Sequence, residues 1–566
     1  MIPYHVLKKE IIYIAPIVSL WLISIIIINP LGNFPLNDDW AFGQTVKHLI
    51  EKGDYRPPGW TGNSLLTNAL WGALFCIPTG FSFNALRIST LILSLLGVIG
   101  LYLLARELGK QQWLSAIAAL TLCFSPIYYA LSNTFMTDVP YTAITIFASI
   151  CFVRNLKNDS NLAFLVGTIF AIAATLSRQS ALSVPVAFAI ASTLKNGVSF
   201  RNILRAATPF VCCVSVLLVF QQWLATTGRT PALYGTKFDN LYHALTNLKA
   251  IPIAKQVYIA LLYLGWFLLP ILLFVLGSIY KEKNTNKTAS LIFSSSAMLI
   301  AGVFISMQVC EKIKILMPFF DTGNIIIESG IGPLILHDTY FLDLNKITAL
   351  SAVFWTTVTV ISLLGAALLI TAIGLNILNW RQKLKRAKIN DKEAAGVFLF
   401  LNAIIYLIPI FIIGYFDRYL MPAIPFLAAG IVNISPHTPQ AATRTCRFAS
   451  IVLLCAFSFF SICGTRDYLT WNKIRWDALN NLMATGDITP ADIDGGFEFN
   501  GWHLYNPQYT KKPQKSWWWV ERDTYRIGFG PMPNYTTTKE YSYRHWMPPH
   551  VGKIVVLKEK YHKNLD

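Results

Sequence analysis

Two adjacent aspartates, Asp38 and Asp39, follow the first long apolar block of the chain, in the run Asn37-Asp38-Asp39-Trp40. A carboxylate at such a place can take the proton of an attacking hydroxyl or join other acids around a cation. It can also do no chemistry at all, because acids at a helix start complement the dipole and the free N–H groups. The chemical reading needs a second acid converging on the same place. Asp138 is the candidate, at the end of a short turn between two later apolar blocks. A carboxylate at membrane depth is costly to keep. Its plain alternative is the N-cap of the following helix, with Pro140 in the first turn. Two arginines stand in similar turns. Arg178 is the lone charge in Ser177-Arg178-Gln179, and Asp417-Arg418-Tyr419 makes up an entire turn before Leu420-Met421-Pro422-Ala423-Ile424-Pro425. A guanidinium fork at an interface suits a phosphate; pairing with Asp417 or with lipid headgroups is the other reading of Arg418.

The elements that must position these residues are membrane helices. Of the 566 residues, 54% are hydrophobic and 13% charged, against about 25% charged in soluble domains. The apolar residues come in long blocks, such as IIYIAPIVSLWLISIIIIN at 11–29 and VYIALLYLGWFLLPILLFVLGSIY at 257–280. Lipid offers no partner to an open backbone, so blocks of this length read as spanning helices. The first lacks a small-residue cleavage site after it and reads as an uncleaved helix. Spans are expected near 11–29, 88–105, 113–131, 139–153, 161–177, 179–194, 206–224, 256–280, 289–309, 347–377, 394–414, 419–435 and 448–463, thirteen in all. The net charge of +18 would suit nucleic acid, but its placement argues for a membrane. Alternate loops hold Lys8, Lys9, Arg106, Lys110, Arg154, Lys157, Lys195, Arg201, Arg205 and the run Arg381 to Lys392, while the longer opposite loops are poorer in basic residues. The positive-inside rule then sets the N-terminus in the cytoplasm and, after thirteen spans, the tail outside.

Residues 1–463 thus read as a transmembrane module and 464–566 as an extracytoplasmic C-terminal domain. Segments 31–87 and 311–346 are the other large stretches on the tail's side. In the first, a helix over 38–52 is expected, with Asn37 as its N-cap, Phe42, Val46, Leu49 and Ile50 on one face, and Gly53 as its stop; it would lie on the membrane surface. Arg56-Pro57-Pro58-Gly59 breaks it, and a second apolar helix follows near 65–77. The tail, with turns at Asp494-Gly495-Gly496 and Gly528-Phe529-Gly530-Pro531 and a strand at 553–557, reads as a small α/β domain. It concentrates tryptophans (Trp471, Trp476, Trp502, Trp517, Trp518, Trp519, Trp546), which suit sugar stacking or, more simply, an interfacial belt and core. No cysteine follows Cys463, and the others lie in or beside apolar blocks, so they read as small hydrophobes rather than disulfides. The sequence has no Walker loop, GxGxxG, CxxC or HExxH, and soluble nucleotide cofactors have no support.

Taken together, these residues resemble the GT-C superfamily of membrane glycosyltransferases, in particular bacterial relatives of protein O-mannosyltransferases and of the lipid A aminoarabinose transferase. The resemblance lies in Asn37-Asp38-Asp39-Trp40 through Glu51-Lys52-Gly53-Asp54, in Leu-Tyr-Leu-Leu-Ala-Arg-Glu-Leu-Gly at 101–109, in Asp138, and in Arg418, Tyr419, Pro422 and Pro425. The family's Lys-Pro-Pro, whose lysine helps hold the donor phosphate, reads Arg56-Pro57-Pro58 here. The resemblance implies a multi-pass enzyme of a bacterial inner membrane. It would move a monosaccharide from a polyprenyl-phosphate donor to a hydroxyl of a glycan, lipid or protein, with inversion. It implies Asp38 as the base, Asp39 and Asp138 as positioning acids or ligands of a divalent metal, and Arg418, Arg56, Tyr419 and Arg178 near the donor phosphate. A transporter or flippase of a lipid-linked sugar would use similar charges; it would also show internal repeats and broken helices. The tail run from Asp494 to Trp502 resembles a motif of a bacterial subgroup without an evident role.

Overall fold

The computed structural model describes residues 4–279, 283–311, 316–384, 389–434, 444–513, 515–516 and 518–560. Among them, nine helices are long and apolar enough to cross a membrane, or ten if the bent pair Gln112–Cys123 and Pro126–Ser132 counts as one span. The chain is a multi-pass membrane protein. Three of the thirteen expected spans are met by shorter elements: the 17-residue helix Asn161–Ser177, the 14-residue helix Ser183–Asn196, and a 3-10 turn Asp417–Ala423 leading into the 11-residue helix Ile424–Ile434. Their apolar runs are cut short by the polar turns at Arg178 and Asp417.

The loops that carry the basic residues meet one another at one end of the bundle. Arg106 pairs with Glu10 at 2.7 Å, and Lys110 Nζ donates to the Asn433 carbonyl at 3.1 Å. Lys195 reaches Asp159 at 3.2 Å and Asp391 at 3.3 Å, while Arg205 donates to Asn161 at 2.7 Å. The basic positions Lys385, Arg386 and Lys388 lie outside the described residues. The segments holding the acids and Arg418 gather at the opposite end with the tail.

Helix Asp39–Lys52 forms as expected and stops at Gly53, whose φ of 65° is the left-handed conformation that glycine adopts without strain. Its start is corrected: Asp38, not Asn37, holds the N-cap position, and Asn37 sits one residue earlier with φ 57°. Protein covers much of the expected apolar face: Phe42 and Val46 are buried, and Leu49 and Ile50 are half-buried. On the opposite side of the helix, Trp40 is fully buried against Trp60, Phe497, Tyr505 and Trp519, and Gln44 donates to the carbonyl of Trp502 at 3.0 Å. Burying such a ring stabilises the contact by about 2–3 kcal/mol. The second helix, Leu66–Cys76, also forms.

The tail holds the short helix Phe497–Leu504 and a four-stranded sheet. Ile493–Asp494 runs parallel to Tyr525–Gly528; Pro549–Glu559 follows, then Tyr535–Trp546, both pairings antiparallel, with a bulge between Thr537 and Lys539. Helix Arg444–Met483 passes residue 464 without a break and carries the chain into this region. Trp471, Trp476, Trp518 and Trp519 are buried, so this part of the tryptophan set is core; Trp546 is 41% exposed, and Trp517 lies outside the described residues.

Candidate active site

Asp38 does not cap its helix. Its side chain makes no capping bond and turns instead to two donors: Arg418 Nη2 donates to Oδ2 at 3.0 Å, and Trp60 Nε1 donates to Oδ1 at 3.0 Å. Trp60 comes from the segment after Arg56-Pro57-Pro58. Arg418 comes from the turn Asp417–Ala423, so the contact joins positions 380 residues apart.

Arg418 pairs with Asp38 because Asp417 is engaged elsewhere. The Asp417 carboxylate accepts the backbone N–H groups of Ile325 at 3.0 Å, Ile326 at 2.7 Å and Arg418 at 2.6 Å, tying the segment 316–327 to this turn. Burial pushes its carboxyl up to about 6 against those bonds. The local pairing of Asp417 with the Arg418 side chain, the other reading of Arg418, is therefore not made. The Arg418 guanidinium lies over Tyr419, 5.4 Å from the ring centroid, and the Arg178 guanidinium lies 5.5 Å from the same ring. Arg178 also lies over Tyr141 and donates through Nη1 to Asp138 Oδ1. Tyr406 fixes the turn by donating its hydroxyl to the Tyr419 carbonyl at 2.8 Å.

The result is one line of groups: Asp38, Arg418, Tyr419, Arg178, Asp138. Two ion pairs flank one aromatic ring, and Trp60 closes the Asp38 end. Arg418 is 6% exposed, and its Nε and Nη1 have no hydrogen-bond partner. A buried guanidinium with unused donors can accept an anion at little further desolvation cost.

Asp39 is not in that line. It is 1% exposed; its Oδ2 accepts the N–H of Phe135 at 2.9 Å and of Leu36 at 3.4 Å, and its Oδ1 has no partner. Burial pushes this carboxyl up to about 7. It ties the start of helix Asp39–Lys52 to the turn that ends in Asp138. Arg56 also stands apart. Its side chain is 59% exposed and its ion pair is with Asp54 at 3.6 Å, which Arg229 reaches at 2.7 Å and His48 at 3.4 Å. Among the described residues no group of three His, Cys, Asp or Glu side chains is placed to hold a metal ion. The Asp38 carboxylate faces Arg418 and Trp60, and the Asp138 carboxylate faces Arg178.

Sequence reasoning missed Trp60, Tyr141, Tyr406 and Arg87. The last had a signal: an arginine in the first turns of the apolar helix Phe83–Glu107, away from the basic end that holds Arg106. It is buried and donates to the carbonyls of Gly32 at 3.1 Å and Phe34 at 3.0 Å, which folds the chain after the first span back toward the site. The others had no signal, because their value lies in contacts between distant segments.

Residues 64–225 match the family model of dolichyl-phosphate-mannose-protein mannosyltransferase. The matched stretch includes Asp138 and Arg178 but neither Asp38 nor Arg418. No curated protein matches the chain. Among solved structures, it is similar to ArnT from Cupriavidus metallidurans bound to undecaprenyl phosphate, at 12% identity and a TM-score of 0.44, over 97% of this chain and 98% of that one. It is also similar to the archaeal oligosaccharyltransferase AglB from Archaeoglobus fulgidus, in complex with an inhibitory peptide and a dolichol-phosphate, at 14% identity and a TM-score of 0.43. That match covers 91% of this chain, which spans only 62% of the AglB chain. The resemblance to membrane glycosyltransferases carried by the short motifs is thus joined by a family match over a contiguous stretch.

Proposed function

We propose that this protein transfers a monosaccharide from a polyprenyl-phosphate donor to an acceptor hydroxyl, with inversion, at the extracytoplasmic face of the membrane. The observation that carries the reading is the Asp38–Arg418 pair, with the remaining Arg418 donors free. The donor class is supported by the family match over residues 64–225. The side is supported by the basic loops meeting at the end away from the site.

In this reaction the acceptor oxygen attacks C1 of the sugar and forms the new C1–O bond. The bond from C1 to the phosphate oxygen breaks, and its electron pair leaves with the polyprenyl phosphate. The acceptor proton passes to Asp38. A phosphate leaving group needs positive charge more than a proton, and Arg418 supplies it through Nε and Nη1. A phosphate on that guanidinium also competes with Asp38 for Nη2 and so frees a carboxylate lone pair for the incoming proton. Arg178 holds the second flank of Tyr419, and Asp138 holds Arg178. Asp39 acts as a positioning residue.

The test is sugar transfer by the purified protein with a polyprenyl-phosphate sugar. Asp38→Asn keeps the shape and one acceptor but cannot take the proton, so turnover should fall by roughly 10²–10⁴ with donor binding preserved. Turnover within about threefold of wild type would remove Asp38 from the reaction.

A further inference from the structure

The tail run from Asp494 to Trp502 reaches the site through Phe497, whose ring lies 5.7 Å from that of Trp60, and through a hydrogen bond that lands beside Asp38. Most of the run holds itself together: Asn500 Nδ2 donates to Asp494 Oδ1 at 2.8 Å, and the Gly495 N–H donates to Asn500 Oδ1 at 3.0 Å. His337 Nδ1 stands 3.0 Å from Asp494 Oδ2, which fastens the run to the segment 316–345. Glu498 is different. It is fully buried, and its Oε2 accepts from Arg475 Nη1 at 3.0 Å; Arg475 is fully buried as well. Its Oε1 accepts the backbone N–H of Asn37 at 3.0 Å, a contact between residues 461 positions apart. Asn37 has φ 57°, a conformation most side chains avoid but asparagine tolerates, and it directly precedes Asp38. Its side chain is held as well, donating to Asn324 Oδ1 at 3.3 Å. The peptide that aims Asp38 at Arg418 and Trp60 is therefore fixed from the tail by one buried carboxylate oxygen.

We infer that Glu498 is a positioning residue for the reaction: by accepting the Asn37 N–H it holds Asp38 in reach of the acceptor hydroxyl, so the tail takes part in turnover. This rests on the reading of Asp38 as the base. Arg475 neutralises the Glu498 charge, and the structure uses the remaining carboxylate oxygen as an acceptor aimed at one amide.

Two double variants isolate that oxygen. Replacing a buried ion pair by neutral groups of similar volume is often tolerated, so both should fold. Glu498→Gln with Arg475→Met keeps an acceptor for Asn37 and has no competing donor at position 475. Glu498→Met with Arg475→Met removes the acceptor. The first should keep kcat within about threefold of wild type. The second should lose kcat by about 10- to 100-fold with donor KM unchanged, since a base displaced by an ångström costs rate rather than binding. Thermal unfolding should be alike in the two, which a purely stabilising role cannot reconcile with a split in kcat. Deuterium exchange of the peptide covering residues 34–40 should be slow in wild type and the Gln variant and fast in the Met variant. Equal kcat in the two variants, or a protected Asn37 amide in the Met variant, would overturn the inference. If wild type transfers no sugar from any polyprenyl-phosphate donor, the functional reading fails, and amide exchange alone then decides the clamp. If neither double variant folds, a fast-exchanging Asn37 amide in wild type overturns it and a protected one sustains it.

Discussion

The two adjacent aspartates have opposite surroundings, and the roles proposed for them differ accordingly. Asp38 faces a guanidinium and an indole N–H, whereas Asp39 is buried with one oxygen unpartnered. Burial raises the Asp39 carboxyl to about 7, from about 4 in an unfolded chain. The folded protein therefore holds a proton at Asp39 that the unfolded chain has lost between about pH 4 and pH 7. Its contribution to stability is greatest below that window and declines as pH rises through it, by up to about 1.4 kcal/mol per pH unit. Asp39→Asn keeps an acceptor for the Phe135 N–H and does not titrate. The variant should come closest to wild type near pH 4 and unfold at a higher temperature at pH 8, with turnover within about threefold. Parallel unfolding curves across this range would show that Asp39 is not titrating in place.

At the scale of elements, small residues set how closely the helices pack. Gly265 in helix Ala250–Ile279 and Gly365 in helix Ala352–Leu384 meet backbone to backbone; a β-carbon on either would fall inside the other helix's main chain. Without a hydrophobic effect between helices in lipid, such close approach is what dispersion and backbone contacts need. Helix Ala250–Ile279 also carries Tyr263, whose hydroxyl accepts the Phe319 N–H at 3.2 Å, at the start of the segment that Asp417 ties down. Gly365→Ala should therefore destabilise the protein by about 1–3 kcal/mol, the usual range for overpacking. Thermal unfolding in detergent measures it, and an unchanged midpoint would mean that the crossing is looser than the structure shows.

At the scale of the molecule, the site end is one polar assembly built on buried carboxylates. Asp39 joins the first segment to the turn before Asp138; Asp417 joins the turn of Arg418 to the middle segment; Asp338 accepts the Phe529 N–H at 2.7 Å; Asp467 accepts the Met547 N–H at 2.9 Å; Glu498 accepts from Asn37. Each carboxylate satisfies backbone groups that irregular segments would otherwise bury unpaired. The basic loops lie at the other end, so the two ends should report opposite sides of the membrane. Reporter fusions at Asn390 and Lys560 test this. Signals from the same side would remove the support for placing the site away from the cytoplasm, and exchanged signals would reverse it.

The sequence by itself determined the membrane class, most of the spans and the helix after the first span with its stop at Gly53, and it singled out Asp38, Asp138, Arg178 and Arg418, which the structure brings into one line. These follow from local physics: apolar runs long enough for lipid, a glycine where the backbone must turn left-handed, and charges where charge is expensive. It did not determine which acid faces which base. Asp38 and Asp39 are equivalent as letters, and Arg418 beside Asp417 reads as a local pair; the structure gives Arg418 to Asp38 because backbone amides of a distant segment occupy Asp417. Arg56 stands where the family motif has a lysine, yet its exposed place near Asp54 follows from where the chain turns after helix Asp39–Lys52. Nor could the sequence show that protein buries Phe42 and Val46, because an apolar face fits lipid and protein equally well, or that the tail covers the other side of the helix at Trp40. Which surface buries it, and which carboxylate reaches the Asn37 amide, depends on contacts across hundreds of residues, and only the tertiary structure decides those.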